Sequence, residues 1–209
     1  DCDRCYFIDE KGEFINGDFI TALLAIQFLR KNHGAAIVYD LRSTWAVADW
    51  IKKLGGRAVV ERVGHTFIKP AMRKAGAIFG GEMSGHYYFA DNKYMDNGFI
   101  PALMILEMIS KAGKPLSQII AELGDYHVSG EINFTVRDVV ATLKSVEANY
   151  AGATIDRLDG LSLAFADWHC NIRPSANDPL VRLNVEAKSA ELLREKVGEL
   201  SGLIGVVRE

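Results

Sequence analysis

The first 124 residues alternate short apolar runs with helical patterns, and this alternation restricts the fold more than any other feature of the sequence. A short apolar run between turn signals is typical of a buried strand, whereas apolar residues at i, i+3, i+4 and i+7 indicate a helix. Strands that alternate with helices predict a mainly parallel sheet covered by helices on both faces, the α/β class. Asp18 is the expected N-cap of the first helix. The strand patterns are residues 35–39, 57–63 and 77–79, and the helical patterns are residues 19–29, 47–54, 68–74 and 99–109.

The order of elements changes after a polar stretch at residues 125–130. A strand pattern at 127–135 precedes a helical pattern, then two or three antiparallel strands, and a last helix that begins at Ser189. Strands with helices segregated to one side predict a small α+β domain with an antiparallel sheet. We therefore predict two domains, an α/β domain at residues 1–124 and an α+β domain at residues 125–209.

Composition and charge exclude several kinds of partner. Of the 209 residues, 49% are hydrophobic and 24% charged, and the net charge of -3 predicts neither nucleic acid nor an anionic membrane as a partner. No apolar run is long enough to span a bilayer. Three cysteines are not the pattern of a secreted disulfide framework, so we expect a cytoplasmic protein. A zinc or redox site at Cys2 and Cys5 is disfavoured, because a thiol zinc site needs four ligands and the third cysteine, Cys170, lies far away in sequence. The chain starts at Asp1 inside a polar loop, which suggests a fragment of a longer protein.

Residues 80–86, Gly-Gly-Glu-Met-Ser-Gly-His, follow the strand pattern at 77–79. We expect the glycines to turn the backbone where the strand leaves the sheet, which is where ligands bind in open α/β sheets. Glu82 can accept hydrogen bonds from two vicinal hydroxyls, Ser84 can donate or accept, and His86 can move a proton near neutral pH. These residue types predict a sugar-binding loop; the alternative is a turn whose polar residues only cap the next element.

Two more polar groups follow strand patterns in the same domain. Arg42 follows residues 35–39, and His65 follows residues 57–63. Each alone is typical of a solvated arginine or a structural histidine. Because the carboxyl ends of parallel strands share one edge of a sheet, we expect both side chains to lie near the loop at residues 80–86, as parts of one site.

Two other loops suggest a metal site and an anion site. Asp1 and Asp3 alternate before a strand pattern and can supply oxygens to Mg²⁺ with waters completing the shell; the alternative is a pair of exposed turn aspartates. Residues 173–179 combine the planar fork of Arg173 with the neutral donors of Ser175 and Asn177, a set that can grip a phosphate dianion. The alternative is a proline-bracketed turn with an exposed arginine.

Together these loops, in their order and spacing, resemble the C-terminal half of the α-D-phosphohexomutases, the family of phosphoglucomutases and phosphomannomutases. The resemblance covers essentially all 209 residues, as the family's third and fourth domains. Its strongest motif is residues 81–86, which is similar to the family's sugar-recognition loop, and it is matched by Asp1-x-Asp3-Arg4 and by residues 173–175. Residues 176–178, Ala-Asn-Asp, depart from the commoner forms of the phosphate loop.

The resemblance implies roles for individual residues. Asp1 and Asp3 would be the last two of three aspartates that bind Mg²⁺, so the metal site is incomplete in this chain, and His86 and Arg4 would act in catalysis, His86 as the proton-transfer group. The residues implied in substrate binding are Glu82 and Ser84 for ring hydroxyls, His65 and Arg42 near the sugar, and Arg173, Ser175, Asn177 and Asp178 for phosphate.

The resemblance also implies a reaction, the interconversion of hexose 1-phosphate and hexose 6-phosphate through a phosphoserine enzyme and a bisphosphorylated intermediate. The catalytic serine would belong to the missing N-terminal domains, which are implied partners along with the hexose phosphates, so this chain alone is expected to bind without turnover. A different possibility is a freestanding sugar-phosphate-binding module. Mannose and glucose differ at one hydroxyl that Glu82 and Ser84 need not contact, so the choice between them stays open.

Overall fold

A computed structural model of the chain describes residues 2–175 and 180–207. It divides into two compact units, the first ending at Asp125 and the second beginning at Tyr126. Within the described part, no helix is both long enough and apolar enough to cross a membrane.

The first unit is built on a five-stranded sheet with the order β4-β3-β5-β6-β7. Strands β4, β3 and β5 are parallel, as predicted, but β6 and β7 are antiparallel additions that strand–helix alternation does not predict. The α/β class is confirmed. The strands are β1 (Phe7–Ile8), β2 (Phe14–Ile15), β3 (Ala36–Asp40), β4 (Arg57–Glu61), β5 (Phe79–Gly81), β6 (Tyr87–Phe89) and β7 (Met95–Asp96), and the helices are α1 (Gly17–Lys31), α2 (Trp45–Lys53), α3 (His65–Ala75), α4 (Phe99–Ala112) and α5 (Leu116–Ala121).

Helices cover both faces of this sheet. On one face, Met72 of α3 packs in a buried cluster with Val38 of β3. On the other, Phe28 of α1 stacks on Phe79 of β5, with ring centroids 5.2 Å apart. Burying an apolar side chain of this size stabilises the fold by about 1.5–3 kcal/mol, so both helices are firmly attached to the central strands.

Gly80 and Gly81 lie within β5, so the expectation that they turn the backbone was wrong. Their lack of a side chain serves close packing instead. A Cβ atom on Gly81 would lie 2.3 Å from Oγ1 of Thr21 in α1, and one on Gly80 would lie 2.8 Å from Sδ of Met72 in α3. The two glycines therefore let helices on opposite faces approach the strand that leads into the loop.

The start of α1 also differs from the prediction. The helix begins at Gly17, and Asp18 is not its N-cap but a buried residue of the first turn. Oδ2 of Asp18 accepts a hydrogen bond from the backbone of Thr44 at 3.0 Å. A Cβ atom on Gly17 would lie 2.6 Å from the carbonyl oxygen of Met83, so α1 begins directly against the loop that follows β5.

The second unit is an antiparallel sheet with the order β10-β11-β12-β13-β9-β14, in which β8 also pairs with β13. Helices α6 and α7 pack on one face, where Val146 and Leu200 join Ile172 and Leu183 in one buried core. Helix α7 begins at Ala190, one residue after the predicted start, and Ser189 is its N-cap: the Ser189 hydroxyl accepts a hydrogen bond from the backbone N–H of Leu192 at 3.2 Å. The elements are β8 (His127–Val128), β9 (Ile132–Thr135), α6 (Val139–Asn149), β10 (Thr154–Asp156), β11 (Leu161–Ala164), β12 (Trp168–Pro174), β13 (Leu180–Ala187), α7 (Ala190–Ile204) and β14 (Val206–Val207).

Candidate functional site

The loop at residues 82–86 joins β5 to the antiparallel strand β6 and closes as a hairpin. The backbone N–H of Glu82 donates to the carbonyl of His86 at 2.9 Å, and that of Gly85 donates to the carbonyl of Glu82 at 3.0 Å. Gly85 has a φ of 81°, a conformation that favours glycine. A Cβ atom there would also lie 2.9 Å from the ring of Tyr6. Hydrogen bonds within its own backbone therefore close this loop.

Glu82 is buried beneath this hairpin, with 1% of its surface exposed. Oε2 accepts a hydrogen bond from the backbone of Gly64 at 2.8 Å, and Oε1 accepts one from the hydroxyl of Tyr88. Burial, and then the charge of Asp40, raise the pKa of the Glu82 carboxyl. Each oxygen keeps a second lone pair, but a sugar hydroxyl reaches neither in this conformation because the group is covered.

A buried carboxylate that sequence reasoning did not select, Asp40, connects Arg42 to the loop. Asp40 is fully buried and Arg42 is 7% exposed. Oδ1 accepts from Nε of Arg42 at 3.0 Å and Oδ2 accepts from Nη2 at 3.1 Å, the forked geometry of strong arginine–carboxylate pairs. Oδ2 also accepts from the backbone of Met83 at 2.8 Å. Arg42 thus lies beside the loop with its charge balanced by Asp40.

Ser84 and His86 are in direct contact. Oγ of Ser84 is 3.0 Å from Nδ1 of His86, and which atom donates depends on the tautomer of the ring. The other ring nitrogen, Nε2, is 3.7 Å from Oδ2 of Asp3. The His86 side chain is 17% exposed, so it can meet a ligand from one side while its neighbours orient the ring. A hydroxyl beside an imidazole is suited to holding a sugar hydroxyl and moving a proton.

The N-terminal segment runs alongside this hairpin. The backbones of Arg4 and His86 pair as an isolated antiparallel β-bridge, and the backbone N–H of Cys5 donates to the carbonyl of Gly85 at 3.0 Å. The Arg4 side chain is 53% exposed, and its Nε lies 4.0 Å from Oδ1 of Asp3. Asp1 lies outside the described residues. Backbone pairing therefore holds Asp3 and Arg4 at the edge of the loop.

Asp3, His86 and Asp96 offer three ligand atoms within 4.8 Å of one another. Oδ1 of Asp96 is also paired with Nζ of Lys69 at 2.8 Å. Mg²⁺ prefers carboxylate oxygens and water, whereas imidazole suits transition metals. The chemistry of Asp3 therefore fits magnesium as one oxygen donor.

His65 is the first residue of α3 and is exposed. It directly follows Gly64, whose backbone N–H is held by Glu82. The structure thus brings Arg42, His65 and the loop at residues 82–86 to the carboxyl ends of the parallel strands β3, β4 and β5.

Arg173 and Ser175 belong to the second unit, at the end of β12. Nη2 of Arg173 is 3.9 Å from Oε2 of Glu131, and its side chain is 13% exposed. The backbone of Ser175 donates to the carbonyl of Leu180 at 2.8 Å, which closes the base of the loop between β12 and β13. Asn177 and Asp178 lie outside the described residues.

Comparison with known proteins relates both units to one family. The models described as "Phosphoglucomutase/phosphomannomutase, alpha/beta/alpha domain III" and "Phosphoglucomutase/phosphomannomutase, C-terminal domain" match residues 16–126 and 131–201. A phosphomannomutase of Escherichia coli (strain K12) is 43% identical over 198 residues, which are 93% of this chain and 43% of that protein. A phosphomannomutase of Vibrio cholerae is 46% identical over 209 residues, 98% of this chain and 45% of that protein.

A solved structure gives the same result. A phosphoglucomutase/phosphomannomutase family protein from Burkholderia thailandensis superposes with a TM-score of 0.84 and 29% identity, over 97% of this chain and 44% of that one. The chain thus spans less than half the length of the relatives it matches.

Proposed function

The chain belongs to the phosphoglucomutase/phosphomannomutase family, and from this premise we propose that it is the sugar- and phosphate-binding part of an enzyme that interconverts hexose 1-phosphate and hexose 6-phosphate. The observation that carries the proposal is the contact between Ser84 and His86, 3.0 Å apart on a hairpin loop at the carboxyl ends of parallel strands. The name phosphomannomutase, borne by the similar proteins of Escherichia coli and Vibrio cholerae, favours mannose phosphates among the hexoses.

In this proposal the loop at residues 82–86 recognises the sugar ring. Ser84, which is partly exposed, offers its hydroxyl to a ring hydroxyl. Glu82 is already engaged by Gly64 and Tyr88, so it exchanges one of these partners for a sugar hydroxyl when the substrate binds. Arg42 and His65, at the ends of neighbouring strands, are proposed to flank the sugar on its other sides. His65 is exposed, whereas Arg42 is 7% exposed and its guanidinium is held by Asp40.

His86 is proposed as the group that takes or returns the proton of the sugar hydroxyl that receives the phosphoryl group. Its contact with Ser84 orients the ring, and its exposed side is free to face a substrate. Arg4, exposed at the same edge, is proposed to stabilise the negative charge of the transferring phosphoryl oxygens.

Arg173, Ser175, Asn177 and Asp178 are proposed as the loop that holds the phosphate group that does not react. Arg173 supplies a planar pair of donors and Ser175 a hydroxyl, which together suit a dianion. The hydrogen bond from the backbone of Ser175 to the carbonyl of Leu180 supports a fixed position for Ser175.

Asp1 and Asp3 are proposed to hold Mg²⁺, consistent with the oxygen donor that Asp3 offers beside His86. When bound, the ion would neutralise charge on the phosphoryl oxygens. Further ligands are expected from outside these residues.

The proposed reaction passes a phosphoryl group from a phosphoserine to the free hydroxyl of a hexose monophosphate. The bisphosphorylated sugar then reorients in the site and returns its other phosphoryl group to the serine. The product therefore differs from the substrate only in the position of the phosphate. Because the chain spans less than half of its relatives, we assign the phosphoserine to domains outside these 209 residues. Those domains and the hexose phosphates are then its partners, and this chain alone is expected to be inactive.

The test is calorimetric titration of the complete protein that contains this chain with mannose 1-phosphate and glucose 1-phosphate, together with a mutase assay. Ser84→Ala and Arg173→Ala should each weaken binding about tenfold or more, as expected when a ligand loses a charged or buried hydrogen bond. Arg194→Ala, which removes an exposed side chain of α7, is the matched control and should bind normally.

Three outcomes separate the alternatives. Binding lost in both variants together with mutase turnover in the unaltered protein supports the proposal. Binding without turnover in the complete protein favours a freestanding sugar-phosphate-binding module. Binding that survives both substitutions shows that neither loop contacts the ligand.

A further inference from the structure

Tyr6 lies against the loop at residues 82–86, although sequence reasoning did not select it as a site residue. Its hydroxyl donates a hydrogen bond to the backbone carbonyl of Ser84 at 3.0 Å, across 78 residues of sequence. Its ring packs on Gly85, where a Cβ atom would lie 2.9 Å from ring atom Cε1. An aromatic side chain of the N-terminal segment therefore contacts the loop that is proposed to recognise the sugar.

Backbone pairing and ring packing fix the position of Tyr6. The preceding residue, Cys5, donates its backbone N–H to the carbonyl of Gly85 at 3.0 Å. The following residue begins β1, which pairs with β2. The Tyr6 ring also contacts Phe14 of β2, with ring centroids 5.9 Å apart. Although 52% of Tyr6 is exposed, its hydroxyl is therefore directed at the loop by more than the hydrogen bond to Ser84.

The peptide group between Ser84 and Gly85 is held at both ends. Its N–H, that of Gly85, donates to the carbonyl of Glu82 at 3.0 Å and closes the turn. Its C=O, that of Ser84, accepts one hydrogen bond within residues 2–175 and 180–207, from the Tyr6 hydroxyl. Gly85 has a φ of 81° and no side chain, so a released peptide group can rotate at low cost. That rotation would break the hydrogen bond that closes the turn.

Ser84 depends on this turn for its position. Its Oγ is 3.0 Å from Nδ1 of His86 and is the group proposed to meet a ring hydroxyl. A turn that opens in the free protein has to be ordered again when the sugar binds, and ordering a loop side chain costs affinity. We propose that Tyr6 is a positioning residue of the sugar site: its hydroxyl keeps the turn closed and thereby holds the Ser84 hydroxyl ready for the sugar. This inference rests on the proposed function.

Tyr6 also interacts with Arg4 of the same segment. A hydrogen bond with the Tyr6 hydroxyl is the largest cause that raises the pKa of the Arg4 guanidinium above its ordinary value. The hydroxyl donates its one proton to Ser84, and its lone pairs can accept from the guanidinium. Arg4 is assigned to the transferring phosphoryl group, so an effect through Arg4 would lower kcat. An effect through Ser84 would instead weaken binding.

The test is Tyr6→Phe in the complete protein, with the dissociation constant, KM and kcat for mannose 1-phosphate as readouts. Phenylalanine keeps the ring against Gly85 and Phe14 and removes only the hydroxyl, so this variant is expected to fold. The dissociation constant and KM should rise about fivefold, as for the loss of one hydrogen bond, with kcat within about twofold. Tyr150→Phe removes a tyrosine hydroxyl that donates to Glu199 in the second unit, and as the matched control it should bind normally.

A double-mutant cycle with Ser84→Ala tests whether Tyr6 acts through Ser84. Once the Ser84 hydroxyl is gone, its position no longer matters to the sugar. Adding Tyr6→Phe to Ser84→Ala should therefore change the affinity by less than about twofold. A residue that contacted the sugar itself, or that only supported the fold, would add its full effect to that of Ser84→Ala.

The inference is overturned if Tyr6→Phe binds normally, or if its full loss of affinity persists in the double variant. A fall in kcat with unchanged KM also overturns it, because Tyr6 would then act through Arg4. Ser84→Ala alone tells these failures apart from a failure of the proposed function. If Ser84→Ala weakens binding and Tyr6→Phe does not, the sugar-binding loop stands and Tyr6 has no part in it. If Ser84→Ala binds normally, the sugar-binding loop itself is wrong and the inference falls with it.

Discussion

Asp40 accepts a hydrogen bond from the backbone N–H of Met83 at 2.8 Å, across 43 residues of sequence. Both oxygens of the same carboxylate accept hydrogen bonds from the guanidinium of Arg42. One fully buried side chain therefore fixes the end of β3, the direction of Arg42 and the path of the loop that follows β5. The proposed sugar site depends on a residue that does not itself reach the surface.

Asp40→Asn should destabilise the protein by about 3–5 kcal/mol, because it leaves the buried guanidinium of Arg42 without its anion. Urea unfolding measures the change, with the exposed Asp91→Asn as the control. Replacing both partners, Asp40→Asn with Arg42→Gln, should cost less than the single change. A single variant as stable as the unaltered protein would mean that the ion pair does not hold this part of the fold.

Glu82→Gln should change how stability depends on pH. Burial raises the pKa of the Glu82 carboxyl above its ordinary value of 4.5. Between these two pKa values the folded protein keeps a proton on Glu82 that the unfolded protein has released. The free energy of unfolding then falls as pH rises from about 4.5 up to the raised pKa. Glutamine keeps groups that can bond to Gly64 and Tyr88 but cannot ionise, so this part of the fall should disappear.

Urea unfolding across that pH range, for the unaltered protein and the variant, gives the comparison. Glu195→Gln, at a side chain that is 58% exposed, should leave the slope unchanged. Equal slopes for the unaltered protein and Glu82→Gln would contradict the burial of an ionisable Glu82.

Gly81→Ala should destabilise the first unit by about 1–3 kcal/mol, because the added methyl group would lie 2.3 Å from Oγ1 of Thr21 and force α1 away from β5. Thr21→Ala in the same chain should recover part of the loss by removing the two nearest atoms. Gly198→Ala, in α7 with nothing within 4 Å, is the matched control and should be neutral or stabilising by up to about 1 kcal/mol. Thermal unfolding of the unaltered protein and these three variants checks the comparison, and a Gly81→Ala variant with unchanged Tm would refute the close approach.

His86→Gln should lower mutase turnover in the complete protein by about 100-fold or more, the usual effect of removing a proton-transfer group, while binding of mannose 1-phosphate changes little. Single-turnover kinetics and calorimetry separate the two quantities. His33→Gln changes an exposed histidine distant in sequence from His86 and should leave turnover and binding unaffected. Normal turnover in His86→Gln would assign the proton transfer to another group.

Local signals in the sequence were enough for several elements. The last helix was predicted to begin at Ser189 because Leu193, Val197 and Leu200 recur at helical spacing, which is a property of neighbouring residues. The order of β3, α2, β4 and α3 followed from apolar runs alternating with helical periodicity in the same way. The hairpin from β5 to β6 was missed because strand–helix alternation favours another helix after β5, whereas Tyr87–Phe89 turn back to pair with it.

Local sequence patterns predicted the fold class, the last helix and the residue types of the candidate loops, because periodicity and turn chemistry act between residues close along the chain. Folding was needed to bring Asp18 to the backbone of Thr44, to place Gly81 against Thr21, and to bury Asp40 and Glu82 against the loop. Each of these depends on a partner distant in sequence. Whether a carboxylate caps a helix, meets water or fixes a loop is set by the groups that folding brings against it, and those are not encoded in its neighbours.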